Sequence, residues 1–272
     1  MKTSKLILLT LILVSLIYSC KNDPGQENQE ADDVIEATDT KEIALKEISD
    51  YPIPTAFELT QMLNEAGASY ILSISNPVEN VDKYFTQKSK ALNLGVYGAD
   101  LAYASTYEMK QETMLFLRVT KKIIDELSIT SAFNKTLVDR IEDNIDNGDS
   151  LITIIADSFY DTYEYLQKNE QDNLSLLVIA GSWIEGVYIT CQIAFLTPNN
   201  EEFLKIVAHQ KKSLESLVEI LEQFKDDSNI TDIYNDLTGI LSLFEDVGDT
   251  MTDEQLNELF NNIETLRTKI TS

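Results

Sequence analysis

The sequence predicts an all-α protein, either an antiparallel helical bundle or a short stack of helix pairs, with about nine helices. Three observations favour this fold class. Apolar residues recur at three- and four-residue spacing through most of the chain after residue 50. Glycine and proline are scarce, at 9 and 5 of 272 residues, so few positions interrupt a helix. Residues 70–74 are the one short strand candidate in the sequence pattern.

Capping residues and breaks in periodicity set the predicted helix boundaries. Thr55 and Glu58 have capping-box spacing, and Asn76 before Pro77 is typical of a helix start. Gly148 lies where a helix is expected to stop. The predicted helices, all within a single domain from residue 51 to 272, span residues 56–66, 77–93, 97–127, 131–146, 149–168, 173–197, 200–225, 229–247 and 252–270.

The first twenty residues have the layout of a secretory signal. Lys2 and Lys5 precede an apolar run over residues 6–16, and the small residue Ser19 comes directly before Cys20. The apolar run is shorter than the roughly 20 residues that a membrane span requires. Residues 1–19 are therefore excluded from the predicted fold.

The end of this signal resembles the lipobox of bacterial lipoproteins. Ile17 and Ser19 occupy acceptable lipobox positions before Cys20, and Tyr18 departs from the small residue usual there. The resemblance implies that Cys20 becomes the first mature residue, carries the lipid and makes the membrane a partner. Lys21, rather than an aspartate, implies the outer membrane. The alternative is an ordinary secretory signal with an incidental cysteine.

Residues 20–50 are predicted to form a flexible acidic tether. The stretch 21–50 holds ten acidic residues, three lysines and no aromatic residue, so it cannot bury enough apolar surface to fold by itself. Cys191 lies in a strongly apolar segment and is expected in the core. An acylated Cys20 has no free thiol, so we expect no disulfide with Cys191.

The composition excludes several functional classes. There are 21 Lys and Arg residues against 46 Asp and Glu, and the formal charge of −25 repels nucleic acid. His209 is the only histidine, which leaves no zinc or di-iron ligand set. The acids at residues 143–149 do not match the register of a calcium loop and instead resemble a helix end followed by a new N-cap. Because these motifs are missing, we expect no bound metal, no cofactor and no catalytic residues. The sequence favours a protein without enzymatic activity.

Two isolated acids define the candidate ligand site. Glu185 is the only charge between Leu174 and Leu196, a segment that is either a buried central helix or, by length, a membrane span. Asp100 is likewise the only charge within residues 92–107. If their helices pack together, these acids and nearby aromatic residues form a polar site consisting of Tyr97, Asp100, Tyr103, Tyr107, Trp183, Glu185 and Tyr188.

Three hypotheses follow for this site and for the protein. In the purely structural one, each acid pairs with Arg118, Arg140 or a nearby lysine, or lies on the one solvent-exposed edge of its helix. The leading functional hypothesis is a lipid-anchored envelope protein acting as a non-catalytic module that binds a protein or small-molecule partner. The alternative is a small-ligand receptor or carboxylate-based hydrolase, which requires Asp100 and Glu185 in one solvent-reachable cavity within about 10 Å of each other.

The two apolar segments that contain Asp100 and Glu185 share a partial internal repeat. Small residues at Gly95 and Gly181 precede an aromatic residue and the isolated acid in both, although the spacing drifts. The pattern is similar to tetratricopeptide-type helix pairs, in which small residues let helices approach closely. The whole body resembles exported all-helical bacterial lipoproteins that have no assigned activity.

Overall fold

The computed structural model describes residues 56–129, 135–169, 171–197 and 200–272. Over these ranges the chain forms nine α-helices, one 3₁₀-helix and no β-strand, which confirms the all-α fold. The signal, Cys20, the tether, Thr55 and the start of the predicted helix 131–146 lie outside the described residues. The helices are α1 (Ala56–Glu65), a 3₁₀-helix (Val78–Lys83), α2 (Gln87–Thr106), α3 (Lys110–Glu126), α4 (Lys135–Asp143), α5 (Gly148–Lys168), α6 (Asp172–Leu196), α7 (Glu201–Glu222), α8 (Thr231–Ser242) and α9 (Asp253–Thr271).

Helices α2 and α6 form the centre of the body and make the largest helix–helix contact among the described elements. Gly95 of α2 meets the Val178 carbonyl, and Gly181 of α6 meets the Leu92 carbonyl, so closely that a Cβ atom at either glycine would overlap with the facing backbone. The small residues of the partial repeat therefore allow the two helices to touch. Both helices are surrounded by others, so they lack the polar face of a surface helix.

The remaining helices pack around this centre through one apolar stripe each. In α9 the stripe follows the three- and four-residue apolar spacing of the sequence, and opposite it lie acidic residues, asparagines and Lys269, exposed to solvent. The predicted stripes of α7 and α8 are also buried along most of their length. The buried stripe residues of α9 are Leu256, Leu259, Ile263, Leu266 and Ile270.

The predicted helices 77–93 and 97–127 are wrong in their boundaries. In the first, residues 78–83 form a 3₁₀-helix and the α-helix α2 begins only at Gln87, where Thr86 and Ser89 form a reciprocal capping box. Its end at Thr106 is enforced by Glu108, whose φ of 56° cannot continue a right-handed helix. The turn after Thr106 could not be predicted from the sequence pattern, because the apolar spacing continues across it.

The role of Gly148 is also corrected. It does not terminate a helix but opens α5, after α4 has ended at Asp143. The Asn147 side-chain Oδ1 accepts a hydrogen bond from the Ser150 amide at 3.2 Å, which is an N-cap contact. The interpretation of residues 143–149 as a helix end followed by a new N-cap is confirmed.

Candidate functional site

Helices α2 and α6 bring the two isolated acids together at the centre of the protein. Asp100 and Glu185 are both 0% exposed, and their side chains lie within hydrogen-bonding reach of each other. The close approach of α2 to α6 at Gly95 and Gly181 makes this pairing possible. The juxtaposition predicted from the sequence is therefore present, but the pair is sealed from solvent.

Glu185 is locked to an arginine that the sequence analysis did not name. Arg267 of α9 donates from Nε to Glu185 Oε2 at 2.6 Å and from Nη2 to Oε1 at 2.7 Å, a bidentate ion pair. Its guanidinium carbon also lies 4.1 Å from the ring centre of Tyr188, a cation–π contact. The predicted partners Arg118 and Arg140 are exposed on the surface, so that part of the structural hypothesis is wrong.

The acids and the arginine also hold a non-helical segment, residues 70–77, which we call the strap. Asp100 Oδ2 accepts the Asn76 amide at 3.0 Å, and Arg267 Nη2 donates to the Ile74 carbonyl at 3.1 Å. Ile74 and Asn76 are the buried residues of this irregular segment, and their backbone groups need such partners because no helix or sheet supplies them. The central side chains thus supply hydrogen-bond partners both for each other and for the backbone of the strap.

The candidate tyrosines of α2 bind the same strap. The Tyr103 hydroxyl accepts the Ile71 amide at 2.8 Å, and the Tyr97 hydroxyl donates to the Pro77 carbonyl at 2.8 Å. The Tyr70 ring stacks on Tyr103 with ring centres 4.6 Å apart. These residues were proposed as ligand contacts, and in this structure their polar atoms contact the chain's own backbone.

Two candidate residues do not reach the acids. Tyr107 packs its ring against Tyr103 and Tyr70, at ring-centre distances of 5.1 and 5.7 Å, and its hydroxyl has no hydrogen-bond partner. Trp183 is buried, and its Nε1 also lacks a partner. Both are aromatic core residues in the described structure.

The electrostatics of the acid pair are asymmetric. Burial, followed by the charge of Glu185, raises the pKa of Asp100 well above its ordinary value, against the opposing effects of Arg267 and the Asn76 amide. Burial also raises the pKa of Glu185, but the Arg267 charge and its hydrogen bonds counteract that rise. Burial acts to lower the pKa of Arg267, but the Glu185 carboxylate reverses this and raises it. Arg267 therefore stays charged, and of the two acids Asp100 is the more readily protonated.

The surrounding tyrosines are neutral at physiological pH. Burial raises the pKa of Tyr103 to about 12, and burial likewise raises the pKa of Tyr97. Burial alone raises the pKa of the Cys191 thiol, which is fully buried as predicted for a core cysteine. None of these groups is activated as a nucleophile or base.

Arg267 and Asn76 are the site residues that the sequence analysis missed. Arg267 is one of only three arginines in the chain, and it follows Leu266 and lies four residues after Ile263, both in the apolar stripe of α9. An arginine at the edge of an apolar stripe was the available signal for a buried ion-pair partner. Asn76 gave only a helix-start signal, and its contact with Asp100 runs through the backbone amide.

Other features of the described residues do not extend the site. A small pocket lies at the turn between α2 and α3, lined by residues that include Ser105, Glu108 and Lys110 but neither central acid. Groups of three or more His, Cys, Asp or Glu side chains able to hold a metal do not occur in the described part of the chain. Helix α6 is long and apolar enough to cross a membrane, but 89% of its apolar window is buried inside the protein, as in a soluble core helix.

Fold and site together define an all-helical protein with a sealed centre of two carboxyl groups and one arginine. Comparison of the chain with protein-family models, with curated proteins and with solved structures finds no match.

Proposed function

We propose that the protein is a lipid-anchored component of the cell envelope, held at the outer membrane through Cys20, whose helical body is a non-catalytic binding module. The anchor is inferred from the apolar signal and the lipobox-like residues before Cys20. The acidic tether over residues 20–50 separates the body from the bilayer.

One observation supports a non-catalytic body. The two acids that would perform carboxylate chemistry have no exposed surface, and Glu185 has both oxygens bound by Arg267. A general acid or base must come within hydrogen-bonding distance of its substrate. Asp100 and Glu185 instead hold the strap and the helices together.

Metabolic labelling with a palmitate analogue tests the anchor. Cells expressing the full chain are compared with cells expressing Cys20→Ser and with the control Cys191→Ala, which removes the only other cysteine. We expect label in the wild type and in the control, complete loss in Cys20→Ser, and recovery of labelled protein in the outer-membrane fraction. Label that persists in Cys20→Ser, or a cytosolic protein that retains Met1, would contradict the anchor.

The receptor or hydrolase alternative remains a prediction about the same residues. A ligand that reaches Asp100 or Glu185 must first displace the strap, whose amides at Ile71 and Asn76 are bonded to α2 side chains. Amide hydrogen exchange therefore discriminates the two functions. A ligand that accelerates exchange at these two amides favours the alternative, whereas ligands binding with both amides still protected favour a module that binds through its surface.

A further inference from the structure

The polar centre contains one fixed positive charge for two carboxyl groups. Arg267 uses Nε and Nη2 on Glu185, so both oxygens of Glu185 are bonded to the cation. Asp100 has no such cationic partner: its Oδ2 accepts the Asn76 amide, its Oδ1 is buried without a hydrogen-bond partner, and the Ser75 hydroxyl beside this carboxyl is neutral. Two fully buried carboxylates beside a single guanidinium would leave one uncompensated negative charge.

The groups that face Asp100 or its two charged neighbours come from the strap, the loop after the 3₁₀-helix, α2, α6 and α9. Arg267 is the only cation among them, and Glu185 is the only other acid. The complete set of titratable and charged groups in the described centre is Tyr70, Tyr84, Tyr97, Tyr103, Glu185, Tyr188 and Arg267.

We propose that Asp100 and Glu185 form a proton-binding site, in which the Asp100 carboxyl keeps its proton at neutral pH and donates it from Oδ1 to the Glu185 carboxylate. The bound proton gives the unpartnered Oδ1 a hydrogen bond, because two ionised carboxylates cannot hydrogen-bond to each other. It also balances the charge of the centre, with one carboxylate for one guanidinium. This inference is independent of the lipid anchor.

The site links the proton to the stability of the fold. The folded-state pKa of Asp100 is raised by burial and by Glu185, whereas in the unfolded chain it is that of an ordinary aspartate, about 3.9. At pH values between these two, the folded protein binds a proton that the unfolded chain releases. The contribution is fully present below the unfolded value and is lost as the pH rises through the raised folded value, so alkaline pH weakens the centre.

Proton counting on unfolding tests the proposal. Full-length wild-type protein in detergent is unfolded at pH 7 in buffers of different ionisation enthalpy, beside Asp100→Asn and the exposed control Asp249→Asn. Asparagine keeps an oxygen for the Asn76 amide and offers an N–H to Glu185. We expect wild type and Asp249→Asn to release about one proton more than Asp100→Asn. Equal release by a folded Asp100→Asn and the wild type would overturn the proposal.

A second measurement does not depend on the variant's folding. Infrared spectroscopy of the wild-type protein at neutral pH should show the C=O stretch of a protonated, buried carboxyl, and this band should disappear on unfolding. Absence of that band from the folded wild type would overturn the proposal that Asp100 keeps its proton. The band should remain in Asp249→Asn, which changes only a surface acid.

Discussion

Two ion pairs lie two residues apart on helix α9 and differ most in their exposure to solvent. Arg267 binds Glu185 at the centre, where the side chains are 13% and 0% exposed. Lys269 binds Asp236 at the surface, where they are 53% and 33% exposed. The shortest N–O distance is 2.6 Å in both pairs. Distance alone therefore does not distinguish them.

Burial sets the energetic role of a charge in this protein. Water screens the surface pair and solvates either partner if the other is lost, so the pair contributes little. The central carboxylate has no access to water, so the loss of Arg267 leaves a buried charge that must be neutralised. The surface acids give the protein its charge, whereas Asp100, Glu185 and Arg267 fix how its helices and strap assemble.

The largest expected effect comes from disrupting the contact that brings the acids together. Gly181→Leu places side-chain atoms against the Leu92 carbonyl and should destabilise the fold by more than about 4 kcal/mol, or prevent folding. Chemical denaturation measures the change. Gly239→Ala in α8 is the matched control, because nothing lies near its Cβ position, and it should be neutral or stabilising by up to about 1 kcal/mol. Equal effects would show that α2 and α6 do not need this close approach.

Removing the buried cation should have the next largest effect. Arg267→Met preserves much of the side-chain volume but leaves Glu185 unpaired, and we expect a loss of about 3–5 kcal/mol. Urea unfolding at pH 7 measures the loss. Lys269→Met serves as the control on the same helix and should cost less than about 1 kcal/mol. If Arg267→Met costs no more unfolding free energy than Lys269→Met, the two ion pairs do not differ in their contribution to stability.

An exposed polar contact that is not an ion pair should have an intermediate effect. Thr86→Ala removes the side-chain acceptor for the Ser89 amide at the start of α2, and should cost about 1 kcal/mol. The thermal unfolding midpoint reports this change. Thr86→Asn retains a capping oxygen and should recover most of the loss, whereas equal destabilisation by both variants would exclude the cap as the cause.

The smallest effect is expected for a surface ion pair away from α9. Lys88→Ala breaks the 3.3 Å contact with Asp232, and should change stability by no more than about 0.5 kcal/mol. The measurement is urea unfolding at low and high salt. A large, salt-insensitive loss would mean that this surface pair behaves like the central one.

Much of the fold could be predicted from the sequence because most helices bury one apolar stripe. The apolar stripe positions of α9, from Leu256 to Ile270, are buried as the spacing indicates. The boundaries around α2 could not be predicted in this way. Residues 92–106 are buried on every side of the helix, so periodicity there carries no information about where the helix ends.

The acids of the site could be predicted, but their partners could not. Asp100 and Glu185 stand out because each is alone in an apolar segment. Their contacts with Arg267 and with the Asn76 amide join residues far apart in the chain, and one of these partners is a backbone group. Such contacts depend on tertiary packing, and the local sequence gives only the position of Arg267 at the edge of an apolar stripe, without the identity of its partner.

A double-mutant cycle on the two ion pairs of α9 tests most directly whether burial decides the role of charge. Glu185→Gln and Arg267→Met, singly and together, are compared with Asp236→Asn and Lys269→Met in the full-length protein. We predict a coupling free energy above about 2 kcal/mol for the central pair and below about 0.5 kcal/mol for the surface pair. Equal couplings, or a larger one at the surface, would contradict it.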